Sequence, residues 1–528
     1  MRKSFYFEGR VTKKTDARRD RTRPVVYLPF TVPPRTVRLE VSYHFEHPLR
    51  DEFAGGGGNA LDLGIFDPRG TDFLTGGFRG WSGRARWNFY VTPTSATPGY
   101  LPGPLTPGPW NVCLGVAELE DPSCRYWLNV DLDVLTDGQQ PPDEESSSPP
   151  AVSPAEGGSA QTGPPWAGLA ASGGDPQPVR GAGDGSPGPP QAGRWYRGDL
   201  HSHTVHSDGL NTISELAAAS RQRGLDFLAI TDHNTCSHHA EMALLNDAGP
   251  PACQPDRRAG RAGILLVPGQ EVTTYGGHGN VWGLHEWLDF RCHDDDALRR
   301  VIEYARAKGA LFSINHPKSI GPPWESPAVR APCMEVWQAV WRWYNWESLD
   351  AWERMLVEGE RIVAVGGSDC HSVPPARPSH PHGPGEPTTW VNVTGPLTEE
   401  AILEAIGRGH VFISEDPGGP FLTLWADLDG DGRFEHMMGD TLEVPEGSRV
   451  TVRVQYRGLV GKRLRLLHGR EVMEEMAVET EEVTRDLSLV VSEPGYLRAE
   501  VKGFRGRPER GEVVHAMTNP LYLRLLPA

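Results

Sequence analysis

The chain carries His, Asp and Glu in short clusters whose types and spacing suit metal ions. His201-Ser-His203 follows Gly198-Asp-Leu, and Asp208 lies five residues beyond His203. Thr231-Asp232-His233 follows an apolar run ending at Ile230. Glu271 follows Val267-Pro-Gly-Gln, and His278-Gly-Asn280 comes soon after. Asn315-His316-Pro317 and Ser368-Asp369-Cys370-His371 complete the set. Two His at i and i+2 on extended backbone point to one side, so both can reach one ion. Imidazole with carboxylate suits Zn, Mn and Fe. Several such ions can share a carboxylate, and Glu271 is the natural bridge.

Each cluster alone is a weak signal. With 19 His in 528 residues, an H-x-H arises by chance roughly 0.7 times. A lone Asp-His or Asn-His-Pro is usually a turn, and a lone Glu usually sits on the surface. The set is stronger because its members follow separate short apolar runs. These are Leu225-Asp-Phe-Leu-Ala-Ile, Ile264-Leu-Leu-Val, Leu311-Phe-Ser-Ile and Ile362-Val-Ala-Val, all of buried parallel-strand type. Helical stretches alternate with them. One opens at the capping box Thr212-x-x-Glu215 and runs through Leu216-Ala-Ala-Ala-Ser,. Others are expected at Asp296–Lys308, Trp346–Glu358 and Thr398–Arg408. The C-terminal ends of parallel strands converge on one face, where loops aim side chains inward. Residues 194–415 therefore read as an α/β barrel or wound sheet.

The flanks read differently. Residues 1–136 hold short alternating runs such as Val37-Arg-Leu-Glu-Val-Ser-Tyr-His and Tyr126-Trp-Leu-Asn-Val-Asp-Leu, which predict a β-sandwich. Residues 137–193 are rich in Pro, Gly, Ser and Ala with one Trp, and predict a disordered linker. Residues 416–528, with Arg449-Val-Thr-Val-Arg-Val and Leu487-Ser-Leu-Val-Val, predict a second β-sandwich.

Lys and Arg number 52 against 69 Asp and Glu, a formal charge of −17, and the cations are scattered. That balance argues against long nucleic acid as a partner. It leaves short nucleotides open, since bound cations reverse the field locally. The seven Cys are odd in number and show no C-x-x-C spacing, so neither a disulfide framework nor a zinc ribbon is indicated. No apolar run of ~18 residues exists, and the start lacks a signal-peptide core,. A cytoplasmic protein without a membrane partner is expected.

The series from Gly198-Asp-Leu-His-Ser-His-Thr204 and Ser207-Asp-Gly209 through Ile230-Thr-Asp-His-Asn234 and Pro268-Gly-Gln-Glu271 continues in Gly277-His-Gly-Asn280, Ile314-Asn-His-Pro317 and Gly366-Gly-Ser-Asp-Cys-His371. It resembles the polymerase-and-histidinol-phosphatase (PHP) family. Gly277-His-Gly-Asn-Val-Trp-Gly-Leu284, Met334-Glu-Val-Trp337, residues 398–414 and Thr518-Asn-Pro-Leu-Tyr522 look most like its CehA/McbA, carbaryl-hydrolase-like branch. The resemblance implies a distorted seven-stranded (β/α) barrel with two or three divalent metal ions (Mn, Zn or Fe). It implies that His201 and His203 share one ion with Glu271 and Asp369. Asp208, His233 and His371 would hold a second. His278 and His316, with Glu271 as bridge, would hold a third. Many members carry His where Asp208 stands, and an oxygen donor there points toward Mn or Fe.

The chemistry implied is hydrolysis by a metal-activated hydroxide, foremost of small phosphomonoesters or nucleotides. A carboxyl-ester or carbamate hydrolase with the same centre is the alternative. A non-catalytic protein that binds through its sandwiches is the third reading, and oligomerisation stays open. Asp232 is expected to orient a ligand, because metal-bound His need such partners. His206 and Lys318 lie beside ligand motifs and could contact substrate or protonate a leaving group. Cys370 reads as a packing residue. The aromatics Trp337, Trp341, Trp343, Tyr344, Trp346 and Trp352 could wall a pocket or pack a helix on the sheet. Asp427-Leu-Asp429-Gly-Asp431-Gly432 matches half a calcium loop, but Met438 stands where its Glu is needed,. An acidic turn is expected there.

Overall fold

Alternating buried and outward-facing residues build the N-terminal region of the chain. In the computed structural model, residues 1–12, 25–49, 57–139, 193–247, 263–375, 382–505 and 511–527 are described. The predicted linker lies outside the described residues apart from its ends. The first strands are β1 (Arg2–Thr12), β2 (Val25–Val32), β3 (Thr36–Phe45) and β4 (Ala60–Phe66). They are followed by β5 (Phe78–Gly83), β6 (Asn88–Val91), β7 (Gly108–Glu118) and β8 (Ser123–Val134). They form two four-stranded antiparallel sheets, ordered β1-β8-β3-β6 and β2-β7-β4-β5. Along β8 every second residue, from Cys124 to Val134, is buried, as the period of two in a strand requires. Leu39, Val41, Leu128 and Val130 of one sheet meet Leu61, Leu63, Val112 and Leu114 of the other in one core.

Strands β4 and β5 are buried on both faces, because their outer face packs on the central region. Phe78 stacks on Trp287 with ring centroids 4.1 Å apart. Trp81 meets Phe290 at 4.6 Å. The Arg291 guanidinium lies over Phe66 and donates to Asp289, to Thr71 O and to the Tyr27 hydroxyl. One apolar core thus runs from Phe66, Phe78 and Trp81 into Leu284, Leu288 and Phe290.

Among the described residues, the central region alternates strands with five helices. In order they are β9 (Arg194–Asp199), α1 (Ile213–Gln222), β10 (Phe227–Ile230), α2 (His239–Asp247) and β11 (Leu265–Thr274). Next come β12 (Gly277–Trp282), α3 (Asp295–Ala307), β13 (Leu311–Ile314), β14 (Cys333–Gln338) and α4 (Asn345–Val357). The last are β15 (Val363–Gly367), β16 (Thr388–Val393), α5 (Glu399–Arg408) and β17 (Val411–Ser414). Helix α1 begins at the predicted capping box: Thr212 Oγ1 accepts from Glu215 N, and Glu215 accepts from Thr212 N. Helix α3 starts at Asp294, which accepts from Ala297 N, and buries Ala297, Leu298, Val301, Ile302 and Ala305. The predicted spans of α3, α4 and α5 agree with the observed helices to within a residue.

The strands run in the order β15-β14-β13-β12-β11-β10-β9-β16-β17. Pairing is parallel in β9–β10–β11 and β13–β14–β15. It is antiparallel on both sides of β12, so the parallel pattern expected from the sequence is interrupted there. The hairpin β11–β12 turns at Tyr275-Gly276, too tight for a helix to intervene. The segments that follow β9 and β15 meet through a parallel bridge between Ser202 and Cys370.

The C-terminal strands are β18 (Phe421–Asp427), β19 (His436–Met437), β20 (Thr441–Val444), β21 (Ser448–Arg457) and β22 (Arg463–His468). They continue with β23 (Glu471–Ala477), β24 (Glu482–Val491), β25 (Gly495–Phe504), β26 (Glu512–Thr518) and β27 (Leu521–Leu525). One sheet is β19-β18-β21-β24. The other continues the central sheet without a break, because β17 pairs with β26. Trp390 and Phe412 of the central strands join Leu422, Leu424, Val450 and Val452 in one core. No helix among the described residues is long and apolar enough to cross a membrane. The six described cysteines are free thiols, and Cys253 lies outside the described residues.

A buried ion network ties the C-terminal strands to α4. Arg498 donates to Glu500 at 2.8 Å and to Glu353 of α4. Arg470 also reaches Glu353, and Lys502 reaches Glu500 at 3.2 Å. Burial pushes the Glu500 carboxyl up, but Arg498 and Lys502 together outweigh it and hold it at about 2, below its ordinary 4.5. A depressed carboxyl contributes stability above its unfolded value, and loses it as pH falls toward the folded one. Denaturation in urea should therefore show stability declining between about pH 4.5 and 2. Arg498→Met, which strands buried carboxylates, should cost about 3 kcal/mol at neutral pH and flatten that decline.

Candidate metal centre

Strand geometry aims the first two imidazoles inward. Ser202 points away, with its hydroxyl on Ala229 O, so His201 and His203 face the same side and are fully buried. Asp199 fixes the turn after β9 by accepting from His201 N and Ser368 N. The His201 and His203 Nε2 atoms lie 3.1 Å apart.

Glu271 is the hub. It sits within β11, not after it, and is buried. Its oxygens lie 3.4 Å from His201 and 3.6 Å from His203. They lie 2.8 Å from His233, 3.2 Å from His278 and 3.5 Å from His316. Asp369 is 2.9 Å from His203 and 3.3 Å from His201. Asp208 lies 3.7 Å from His233 and 3.4 Å from His371. All nine ligand positions predicted from the sequence thus converge. Donor atoms of seven of them group as His203–Asp208–His233–His371, His201–His203–Glu271 and His233–Glu271–His278, each set within 4.8 Å, while Asp369 and His316 fall in none of these sets. Beside the grouping implied above, His203 joins the Asp208 set and His233 the Glu271–His278 set.

The donor set is compatible with divalent metal ions. Glu271 Oε2 is buried with no hydrogen-bond partner, although an imidazole stands 2.8 Å away. Two imidazole nitrogens facing each other beside shared carboxylates are what a common cation satisfies. Burial pushes the Glu271 and Asp369 carboxyls up, but the surrounding imidazoles outweigh it and hold both well below the carboxylate range. Burial, helped by His371 and His233, pushes His203 down to about 4, which keeps it an unprotonated donor. The backbone is strained here too. His316 and Asp369 have φ of 29° and 54°, a left-handed conformation costly for non-glycine residues and common at functional sites.

Partners behind the ligands fix their orientation. Glu335 of β14 accepts from His201 Nδ1 at 2.8 Å and from His316 N at 3.2 Å. Thr273 meets His233 Nδ1 at 2.6 Å. Asn315 donates to Glu271 at 3.0 Å, and Gln338 donates to Asp369 at 2.7 Å. Glu335, Gln338 and Thr273 were missed as site residues in the sequence. Asn315, Glu335 and Thr273 stand in or beside quoted motifs, but nothing local marks their partners.

The remaining candidates lie off the cluster. Asp232 touches no ligand ring. It accepts from Thr204 N, Thr204 Oγ1 and Ser207 Oγ, and so holds the loop between His203 and Asp208. His206 turns to Ser237 Oγ at 2.8 Å and Glu241 at 3.5 Å. Lys318 is buried and donates to Gln338 Oε1 and Asn345 Oδ1. Burial is the largest influence on its ammonium and pushes it down to about 8. Cys370 packs among Ile213, Leu216 and Ile230. Trp337, Trp341 and Trp352 are core residues, Trp343 packs on His382, and Tyr344 and Trp346 are exposed. In the acidic turn, Asp427 accepts from Gly430 N and Gly432 N, and Glu435 from Leu428 N.

The cluster opens to solvent on one side. The side chains of His201 and His203 are 0% exposed, whereas His371 is 35% and Asp208 49% exposed. Access is over the Asp208–His371 edge.

Similar proteins place this geometry in context. The chain is 39% identical over 122 residues to the 5'-3' exoribonuclease Rnm of Salmonella typhimurium, covering 22% of this chain and 36% of that protein. It is 38% identical over 88 residues to the Rnm of Escherichia coli, covering 17% and 24%. The matches therefore span 36% and 24% of these relatives' own length. A two-domain protein from Bacteroides vulgatus, described as containing a PHP-like metal-dependent phosphoesterase, covers 63% of this chain and 97% of its own, at 18% identity and a TM-score of 0.35. A metal-dependent phosphoesterase by description, from Bifidobacterium adolescentis, covers 39% and 94% at 18% identity and a TM-score of 0.26. Residues 199–275 match the PHP domain, and that stretch supplies His201, His203, Asp208, His233 and the hub Glu271.

Proposed function

We propose that this chain is a metal-dependent hydrolase that cleaves phosphate esters at the Glu271-centred cluster. The observation that carries the reading is five imidazoles on one buried carboxylate, with a second edge open to solvent. His201, His203, Asp208, His233, Glu271, His278, His316, Asp369 and His371 would hold two or three divalent ions, of Mn, Zn or Fe. Bound there, such ions supply Lewis acidity and an activated water. The protein's own part is orientation. Glu335 holds His201, Thr273 holds His233, and Gln338 holds Asp369, while Lys318 backs Gln338. In this reading Lys318 acts by positioning, and Asp232 by holding the ligand loop.

The match to Rnm, whose name describes a 5'-3' exoribonuclease, reopens the question of nucleic acid. The scattered cations and acidic balance argue against long nucleic acid,, and this match weighs the other way. A centre entered from one edge suits a chain end, so a nucleotide or the 5' end of an RNA joins small phosphomonoesters as substrate. The ester and carbamate reading loses support, since Trp337, Trp341 and Trp352 pack in the core. We read β9 to β15 as the distorted seven-stranded barrel and the flanking sheet pairs as β-sandwiches. Free thiols throughout the described cysteines agree with a cytoplasmic location.

Elemental analysis with turnover of para-nitrophenyl phosphate, para-nitrophenyl acetate and a 5'-phosphorylated oligoribonucleotide tests this. The expected result is about two to three ions per chain, with phosphate-ester cleavage lost in His201→Ala and Asp369→Ala. Acetate turnover alone would instead establish an ester hydrolase. Protein that stays inactive and metal-free after loading would sink the catalytic reading. Glu335→Gln keeps the shape but weakens the hold on His201, and should cut metal affinity about 10- to 100-fold.

A further inference from the structure

The N-terminal region reaches the ligand loops through two residues. Arg86, in the loop between β5 and β6, is half-buried and donates from Nη2 to Val205 O. Its Nε donates to Pro98 O at 3.2 Å. Val205 lies midway between the candidate ligands His203 and Asp208, in the stretch whose other side Asp232 holds. Gly99, between β6 and β7, accepts from Thr235 Oγ1 and donates to Ser237 Oγ, both at 3.0 Å. Those two residues follow the ligand His233. Ser237 Oγ also meets His206 Nδ1 at 2.8 Å, so Gly99 links both ligand loops. Gly99 is anchored in its own region, where its carbonyl accepts from Trp81 N. It has φ of 97°, and a Cβ there would stand 2.9 Å from His206 O and from Trp81 O. Only glycine fits this contact.

We infer that Arg86 and Gly99 are positioning residues: the N-terminal region templates the His203–Asp208–His233 side of the metal centre. The inference rests on the reading of that cluster as a metal site. In this half the Asp208 and His233 side chains are 49% and 24% exposed, against 6% for His316 in the other. A ligand loop held loosely loses affinity even when every ligand is present. The other half is fixed from within the central region, by Glu335 and Asn315. An appended module that merely recruits substrate would leave metal binding alone.

The test is Mn(II) titration of the full chain by calorimetry, with ion counts after dialysis, for wild type, Arg86→Ala, Arg86→Lys and Gly99→Val. The expected result is affinity about tenfold weaker in Arg86→Ala and Gly99→Val, with part of the bound metal lost and the rest retained. Arg86→Lys, which keeps a cationic donor, should recover part of the loss. The Arg86→Ala thermal midpoint in chelator should stay near wild type, which separates positioning from unfolding, whereas Gly99→Val should lower it because its Cβ crowds Trp81 O. Wild-type affinity and ion count in Arg86→Ala would overturn the inference while leaving the metal site standing. Loss of all metal together with a collapsed chelator midpoint would overturn it as well. Wild-type protein that binds no Mn(II), Zn(II) or Fe(II) would remove the metal site itself and this inference with it.

Discussion

A carboxylate buried among imidazoles is the constraint on which the centre depends. Glu271 carries a negative charge into a site where its own exposure is near zero. An isolated buried carboxylate is costly enough that it ordinarily takes up a proton. His233, His201 and His278 prevent that by outweighing burial and holding it ionised. The imidazoles in turn compete for a limited set of carboxylate oxygens, which divides them. His203 is pushed down to about 4, while the Glu271 and Asp208 carboxylates outweigh burial at His233 and raise it to about 9. Such a cluster carries strong opposing charges at short range, and divalent cations relieve it at the carboxylates and the neutral imidazoles together.

The rest of the architecture keeps these groups from drifting apart. Glu271 is on a strand paired on both sides, so its backbone has no freedom. The flanking regions share cores with the central one: Phe78 and Trp81 on one side, Trp390 and Phe412 on the other. The Arg498 network then ties β25 to α4, whose first residue Asn345 holds Lys318. Rigidity of this kind is what strained residues such as His316 and Asp369 need in order to persist.

Most of the candidate ligands were legible in the sequence because they belong to local motifs that follow short apolar runs. The helices were legible from their caps, as Thr212 and Glu215 show. What escaped was what depends on distant partners. Glu335 meets His201 across 134 positions, and Arg86 meets Val205 across 119. Strand β12 escaped because Gly277-His-Gly-Asn280 contains no apolar run, and its burial comes from neighbours on both sides. Strand β14 escaped because Glu335 and Gln338 interrupt its apolar pattern while serving the site. Phe78 and Trp81 read as sandwich residues, although their partners are in the central region. The grouping of ligands into ions came from family resemblance, since spacing alone leaves it open.

The central claim is that Glu271 organises a divalent-metal centre, and Glu271→Gln tests it most directly. The substitution keeps the side chain's shape and removes its charge. Calorimetric titration with Mn(II) should show at least one ion lost and the rest bound about 100-fold more weakly or worse. The chelator-treated variant should remain folded by circular dichroism. Wild-type stoichiometry and affinity in Glu271→Gln would contradict the account.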